Sequence, residues 1–342
     1  MAASSSANPG FVYDGYHRFW QVADLLMRDR EPAVDEWQGL LSAPGYQELI
    51  AHEFSPEFFP EHFRLAFKPS LGASLAQVLR GGSHARLLRH YLLAAETREH
   101  IARGMAAMAS APVAATARQA ALAWLPRDFT PAFPTVAFVI FAPDARGYAS
   151  VVVDASFACQ HPAPQALLAH EYHHVFRRQL VAARAAQAPG DEDVLWVFDQ
   201  LEAEGIADQL DKRSWPEDAP VSSGLIADYA RRYRQHFLAA PELIRRLDAL
   251  LGAWHETPPQ REEIAKRLRA AIPLAGHPMG SFMARQIERR FGRRACISAV
   301  GNPFAFMRLY NEAAAGDGRA PALSVAALRA VASLEGTYLP SS

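Results

Sequence analysis

A short β-type stretch in an otherwise helical sequence is the feature that most constrains the fold of this chain. Prolines 126, 131 and 134 lead into residues 135–141, and a loop then leads into residues 150–154. Both runs are dense in Val, with Ile and Phe in the first, as is typical of strands. Around them, apolar residues recur at intervals of three and four, which indicates amphipathic helices. We therefore predict a mainly α fold with a small β-sheet (α+β), in which the two strands could form a hairpin.

The pattern divides the chain into three parts. Residues 1–10, rich in Ala and Ser, are predicted to be a flexible tail, and residues 11–123 a helical N-terminal region. Residues 124–340 contain the strands and could be continuous with the N-terminal region as one domain. After Pro164 the periodicity predicts helices near residues 165–183, 192–210, 223–237, 241–254, 259–271, 279–291, 303–315 and 323–334.

The balance of charge excludes one class of partner. With 35 Lys and Arg against 36 Asp and Glu, the formal net charge is −1. A nucleic-acid-binding protein normally has a basic surplus that neutralises phosphates, so we expect no nucleic-acid partner. The longest apolar run, residues 136–142, is far shorter than the roughly 20 residues that span a bilayer, so we expect no membrane partner.

The cysteines and the first residues bear on the compartment. Cys159 and Cys296 are the two cysteines, too few for a disulfide framework. Residues 1–10 have neither the basic nor the apolar region of a secretory signal, so we expect a cytoplasmic protein. A secreted chain whose signal had been removed would have the same sequence.

One segment carries the residues of a metal site. His170-Glu171-Tyr172-His173-His174 follows the pattern H-E-x-x-H inside a predicted helix. Residues four apart share a helix face, so His170 and His174 can direct ring nitrogens at one ion. Glu171 can reach a water molecule at that ion without being a ligand. His170 with His173 is also possible geometrically, but we favour His174 because that spacing, with Glu171 between the ligands, supports water activation.

A third ligand is expected, because catalytic zinc takes three protein ligands. Glu204 and Asp208 lie four residues apart on the predicted inward face of the next helix. Inward carboxylates are unfavourable unless they meet a cation or hydrogen-bond donors, so we assign zinc to Glu204 and a histidine N–H to Asp208. Glu202 is the alternative ligand, but it lies nearly opposite on the helix and is expected at the solvent or the helix rim.

His170-Glu171-x-x-His174 followed by Glu204-x-x-x-Asp208 resembles the gluzincin metallopeptidases, over about residues 124–315. The segments H-E-Y-H-H (residues 170–174) and E-G-I-A-D (residues 204–208) also resemble sequences of bacterial families of proposed zinc-dependent peptidases. The resemblance implies a gluzincin-like core with a pair of active-site helices. It also implies one zinc ion per chain on His170, His174 and Glu204, with Asp208 steadying a ligating histidine.

A further segment, His277-Pro278-Met279-Gly280, precedes a predicted helix and resembles the Tyr-x-x-Gly segment of gluzincin aminopeptidases. In those enzymes the Tyr stabilises the oxyanion, so the resemblance implies that His277 donates that hydrogen bond here. The alternative is a histidine at a helix N-terminus near solvent. The Gly-x-Met-x-Asn segment of those aminopeptidases has no counterpart, so their specificity is not implied.

Together these residues predict a zinc-dependent peptidase that acts on a peptide or protein substrate, with Glu171 as the general base. Strand 136–141 or 149–153 is expected to present an open edge to an extended peptide. Two other functions fit the same residues. One is a zinc hydrolase of a non-peptide amide. The other is a helical binding protein without catalysis, in which the metal site is structural.

Overall fold

Helices dominate the computed structural model of the chain, and four short strands form one sheet in the part that it describes. This confirms the predicted mainly α fold with a small β-sheet. Residues 1–9 of the predicted flexible tail lie outside the described residues. Among the described helices, none combines the length and the apolar character needed to cross a membrane. The structure describes residues 10–108, 111–181, 188, 190–218, 224–316, 318 and 320–339.

The chain forms two compact units, and each unit is made of two separate segments of the sequence. The first comprises residues 1–118 and 132–175, and the second comprises residues 119–131 and 176–342. In its described residues, the first unit holds the sheet and all or most of each of ten helices. These are α1 (Asp14–Met27), α2 (Val34–Leu41), α3 (Pro44–His52), α4 (Phe58–Phe67), α5 (Gly72–Val78), α6 (Ser83–Glu96), α7 (Arg98–Met108), α8 (Ala111–Leu122), α9 (Ala155–Gln160) and α10 (Pro164–Leu180).

The sheet consists of β1 (Phe11–Val12), β2 (Val136–Val139), β3 (Ala145–Gly147) and β4 (Val151–Asp154), in the order β1-β2-β4-β3. Every residue of β2 and β4 is buried. A strand that is covered on both faces has apolar residues at nearly every position of its sequence. This explains why β2 and β4 were recognisable in the sequence.

The predicted hairpin of the two apolar runs is wrong, because β2 and β4 pair in parallel. The loop between them contains β3, which returns along β4 in the antiparallel direction. As a result β2 and β4 each have a neighbour on both sides, and neither presents the open edge that we expected. In the described sheet the outer strands are β1 and β3.

Tyrosines of the N-terminal helices anchor them to the residues that follow β2. The hydroxyl of Tyr46 donates to the carbonyl oxygen of Ile140 at 2.7 Å, and that of Tyr91 donates to the carbonyl oxygen of Phe141 at 2.8 Å. Both tyrosines are fully buried, so these bonds satisfy groups that have no access to water.

The second unit is helical in the part that is described. Its helices match the predicted ones to within a few residues, except that α16, of six residues, was not predicted because it is too short to show a period. These helices are α11 (Glu192–Asp211), α12 (Gly224–Leu238), α13 (Ala240–Glu256), α14 (Arg261–Ala271), α15 (His277–Phe291), α16 (Arg293–Ser298), α17 (Pro303–Ala315) and α18 (Val325–Tyr338).

Candidate metal site

Helix α10 of the first unit turns two imidazoles toward each other. The Nε2 atoms of His170 and His174 lie 2.9 Å apart, and their rings meet at 78°. Two nitrogen ligands of a tetrahedral zinc ion, with bonds near 2.0–2.1 Å, would lie about 3.3 Å apart. The pair favoured by the sequence therefore needs an adjustment of only a few tenths of an ångström to hold one ion, so these residues fit a zinc site.

The residues between the two imidazoles are largely removed from solvent. Glu171 is 6% exposed, and Tyr172 and His173 are fully buried. Tyr172 packs edge-to-face against Phe133, with ring centroids 5.6 Å apart. A helix packed in this way holds its side chains in fixed rotamers, which a metal site requires.

Strand β3 lies directly against the motif helix at Gly147. A Cβ atom at this position would be 3.1 Å from the carbonyl oxygen of Glu171 and 3.3 Å from the Cβ of His174. The absence of a side chain thus allows the outer strand of the sheet to approach the backbone of the H-E-x-x-H segment.

In the second unit, α11 and α15 bring together Glu204, Asp208 and His277. Nδ1 of His277 is 2.9 Å from Oδ1 of Asp208 and 3.2 Å from Oε2 of Glu204. One ligand atom from each of the three residues lies within 4.8 Å of the others. Asp208 is fully buried, and the side chain of Glu204 is 14% exposed, which agrees with the inward face predicted for both carboxylates.

The crossing of α11 and α15 depends on two glycines. A Cβ atom at Gly205 would lie 2.4 Å from the carbonyl oxygen of Gly280, and one at Gly280 would lie 2.2 Å from that of Leu201. The helices therefore touch through their backbones. Because Gly205 follows Glu204 and Gly280 lies in the first turn of α15, this contact places His277 beside the carboxylates.

Gly280→Ala is expected to lower the stability of the second unit by about 3 kcal/mol, since the clash is with backbone that cannot move aside. The measurement is the thermal unfolding midpoint by circular dichroism. Gly336→Ala is the matched control, because nothing lies near a Cβ atom at Gly336 in α18, and this change should be neutral or slightly stabilising. Equal midpoints for the Gly280 variant and the wild type would contradict the close crossing.

Buried charges surround Asp208. Nζ of Lys212 lies 3.0 Å from Oδ1 of Asp208, and the hydroxyl of Tyr233 donates to Oδ2 at 3.0 Å. Burial disfavours the ionised carboxylate, but Lys212 and His277 outweigh it and lower the pKa of Asp208 below its usual value. Burial likewise opposes the imidazolium, yet Glu204 and Asp208 raise the pKa of His277.

The expected position of Glu202 at the solvent or the helix rim is wrong. Glu202 is fully buried, and its Oε2 accepts from Nε of Arg177 at 2.5 Å. Its Oε1 accepts from the backbone N–H of Gly301 at 3.1 Å. The error arose because α11 is covered on nearly all sides, with Arg177 supplying the counter-charge on the side that we took to be exposed.

Sequence reasoning missed Lys212 and Tyr233 as partners of Asp208. Lys212 lies four residues after Asp208 in the chain, at a spacing that favours an ion pair on a helix, and this signal could have been used. No pattern in the sequence connects Tyr233 of α12 with Asp208, because that contact depends on how the helices pack.

The H-E-x-x-H helix with its two imidazoles, and the group of two carboxylates and a histidine, offer side chains of the kinds that bind a metal ion. The chain belongs to the family described as "Putative zinc dependent peptidase (DUF5700)", whose sequence signature matches residues 37–318. No curated protein and no solved structure matches the chain.

Proposed function

We propose that this chain is a zinc-dependent peptidase of the gluzincin type, with zinc bound by His170, His174 and Glu204. The observation that carries the proposal is the 2.9 Å approach of the two Nε2 atoms on α10, on either side of Glu171 in the sequence. Membership of a family described as zinc-dependent peptidases supports the same metal and reaction. Bound zinc would supply Lewis acidity, which acidifies water and polarises a carbonyl group.

Glu171 is assigned the role of general base. It follows the first imidazole in the chain and is nearly buried, so a water molecule beside it would meet few competing solvent molecules. Its carboxylate takes the proton of the attacking water and then delivers it to the leaving amine. The carboxylate is thus returned to its starting form at the end of each cycle.

His277 is assigned to the oxyanion. Asp208 fixes the ring by accepting a hydrogen bond from Nδ1, so Nε2 on the other side of the ring is the atom that we assign to the developing negative charge. In this arrangement Asp208 is a positioning residue. The Tyr of gluzincin aminopeptidases is replaced here by His277, and we therefore propose no aminopeptidase specificity.

We further propose that an extended substrate pairs with β3. This strand is at one end of the described sheet, and its Gly147 lies against Glu171 and His174. Pairing through main-chain hydrogen bonds would hold a peptide beside the motif helix with little dependence on its sequence.

Asp208→Asn distinguishes two roles for this carboxylate. If Asp208 also steadies a ligating histidine, as the resemblance implies, zinc affinity should fall by about 10–100-fold. The measurement is zinc competition against a coloured chelator. An unchanged zinc affinity with reduced turnover would confine Asp208 to positioning His277. If both values stay unchanged, Asp208 has neither role.

The proposed function is tested by incubating the zinc-loaded protein with a mixed peptide library and reading the products by mass spectrometry. We expect cleavage that stops on zinc removal and returns when zinc is added. Cleavage of small amides but not of peptides would favour the non-peptide hydrolase. Stoichiometric zinc without any hydrolysis would favour the structural metal site.

A further inference from the structure

The three residues before His277 form a left-handed turn. Leu274 has φ 50° and ψ 46°, Ala275 has φ 52° and ψ 28°, and Gly276 has φ 90°. Glycine adopts this conformation readily, but each L-residue in it is disfavoured by roughly 5–30-fold in population. The residue types at positions 274 and 275 therefore disfavour the left-handed conformation, and only Gly276 favours it.

Two contacts hold the turn in place. The side chain of Leu274 packs against the buried group of Trp215, Ala230 and Tyr233, on which Tyr229 and Phe237 also pack, and we call these five residues the aromatic cluster. At the other end, a Cβ atom at Gly276 would lie 3.4 Å from the Cβ of Gln200, so the turn lies close to α11.

The same cluster also contacts the imidazole. The rings of Tyr229 and His277 meet at 89° with centroids 6.4 Å apart, and the hydroxyl of Tyr233 donates to Asp208, the acceptor for His277. The aromatic cluster therefore packs against the turn that carries His277 and also contacts the ring and its carboxylate acceptor.

We propose that the turn 274–276 is a strained support for His277, anchored by Leu274, and that Leu274 is a positioning residue for the oxyanion donor. Backbone strain persists only where the surroundings over-determine it, and it is concentrated at functional sites. The role of the turn in the reaction rests on the proposed function, but the anchoring of His277 by the turn does not. A relaxed turn would let the ring leave Asp208, so the packing of Leu274 on the aromatic cluster, which holds the turn in its left-handed conformation, fixes the direction of Nε2.

The test compares Leu274→Ala with the double variant Leu274→Ala/Ala275→Gly in the full chain. Loss of the anchor should lower turnover by about 10-fold or more, with little change in KM, because a misplaced donor affects the transition state rather than binding. Glycine at position 275 makes the left-handed conformation favourable, so the double variant should recover most of the turnover and the unfolding midpoint. If Leu274 only fills space, adding Ala275→Gly should not restore the turnover that Leu274→Ala loses.

A readout independent of activity is the downfield proton resonance of the His277 Nδ1–H in histidine-labelled protein. It should weaken or shift in Leu274→Ala and return in the double variant. Leu334→Ala, a buried leucine of α18, is the matched control, since it should lower the midpoint without altering this resonance. An unchanged resonance in the folded Leu274→Ala protein would overturn the proposal. If the wild type hydrolyses nothing, the proposed function fails, and the resonance still tests the support of His277.

Discussion

Glu171→Gln is expected to reduce peptide hydrolysis by about 10²–10⁴-fold while zinc remains bound. Glutamine has nearly the same shape, but its amide cannot accept the proton of the attacking water, and general-base catalysis is worth about this much. The helix and the two imidazoles should be unaffected, because Glu171 is not a proposed ligand. The measurement is kcat/KM on a peptide found in the library, together with zinc per chain by elemental analysis.

Glu99→Gln is the matched control for this change. Glu99 is an exposed glutamate in the first turn of α7, so both activity and zinc content should equal those of the wild type. If Glu171→Gln hydrolyses peptides at the wild-type rate, Glu171 has no part in the mechanism. If zinc is lost together with activity, Glu171 supports the metal site instead of acting as the base.

His277→Ala should lower kcat by about 10²–10³-fold and leave KM and zinc content nearly unchanged. A single oxyanion donor has an effect of this size, because it interacts with charge that develops only in the transition state. His277→Tyr should retain part of the activity, since a phenol can donate a similar hydrogen bond. Steady-state kinetics on the same peptide provide the comparison.

The matched control is His100→Ala, an exposed histidine of α7 in the first unit, which should behave as the wild type. A large rise in KM with unchanged kcat would show that His277 binds substrate instead of stabilising the oxyanion. Loss of zinc in His277→Ala would make His277 a ligand, which is chemically reasonable because His277 and Glu204 offer ligand atoms within 4.8 Å of each other.

The helices were predictable because their signals are local. The periodicity placed α11 at 192–210 and α17 at 303–315, where the structure has Glu192–Asp211 and Pro303–Ala315. The pairing of β2 with β4 was not predictable in the same way. Whether two apolar runs pair in parallel or antiparallel depends on the path of the chain between them, and that path contains β3.

In the candidate site, too, features set by local helical spacing were predictable, and features set by packing were not. Helical spacing alone was enough to predict that His170 and His174 share a face, and that Glu204 and Asp208 face inward. The burial of Glu202 depends on Arg177, 25 residues away in the chain. The left-handed turn before His277 is likewise imposed by packing on the aromatic cluster, against the preferences of Leu and Ala.

In the proposed site, His170, His174 and Glu204 bind one zinc ion. The most direct test is zinc per chain after dialysis against a weak chelator, in the wild type and in His170→Ala, His174→Ala and Glu204→Ala. We predict about one zinc ion per wild-type chain and almost none in each variant, because a catalytic site with two protein ligands binds zinc weakly. Wild-type zinc content in all three variants, or no zinc in the folded wild type, would rule out these three residues as the zinc ligands.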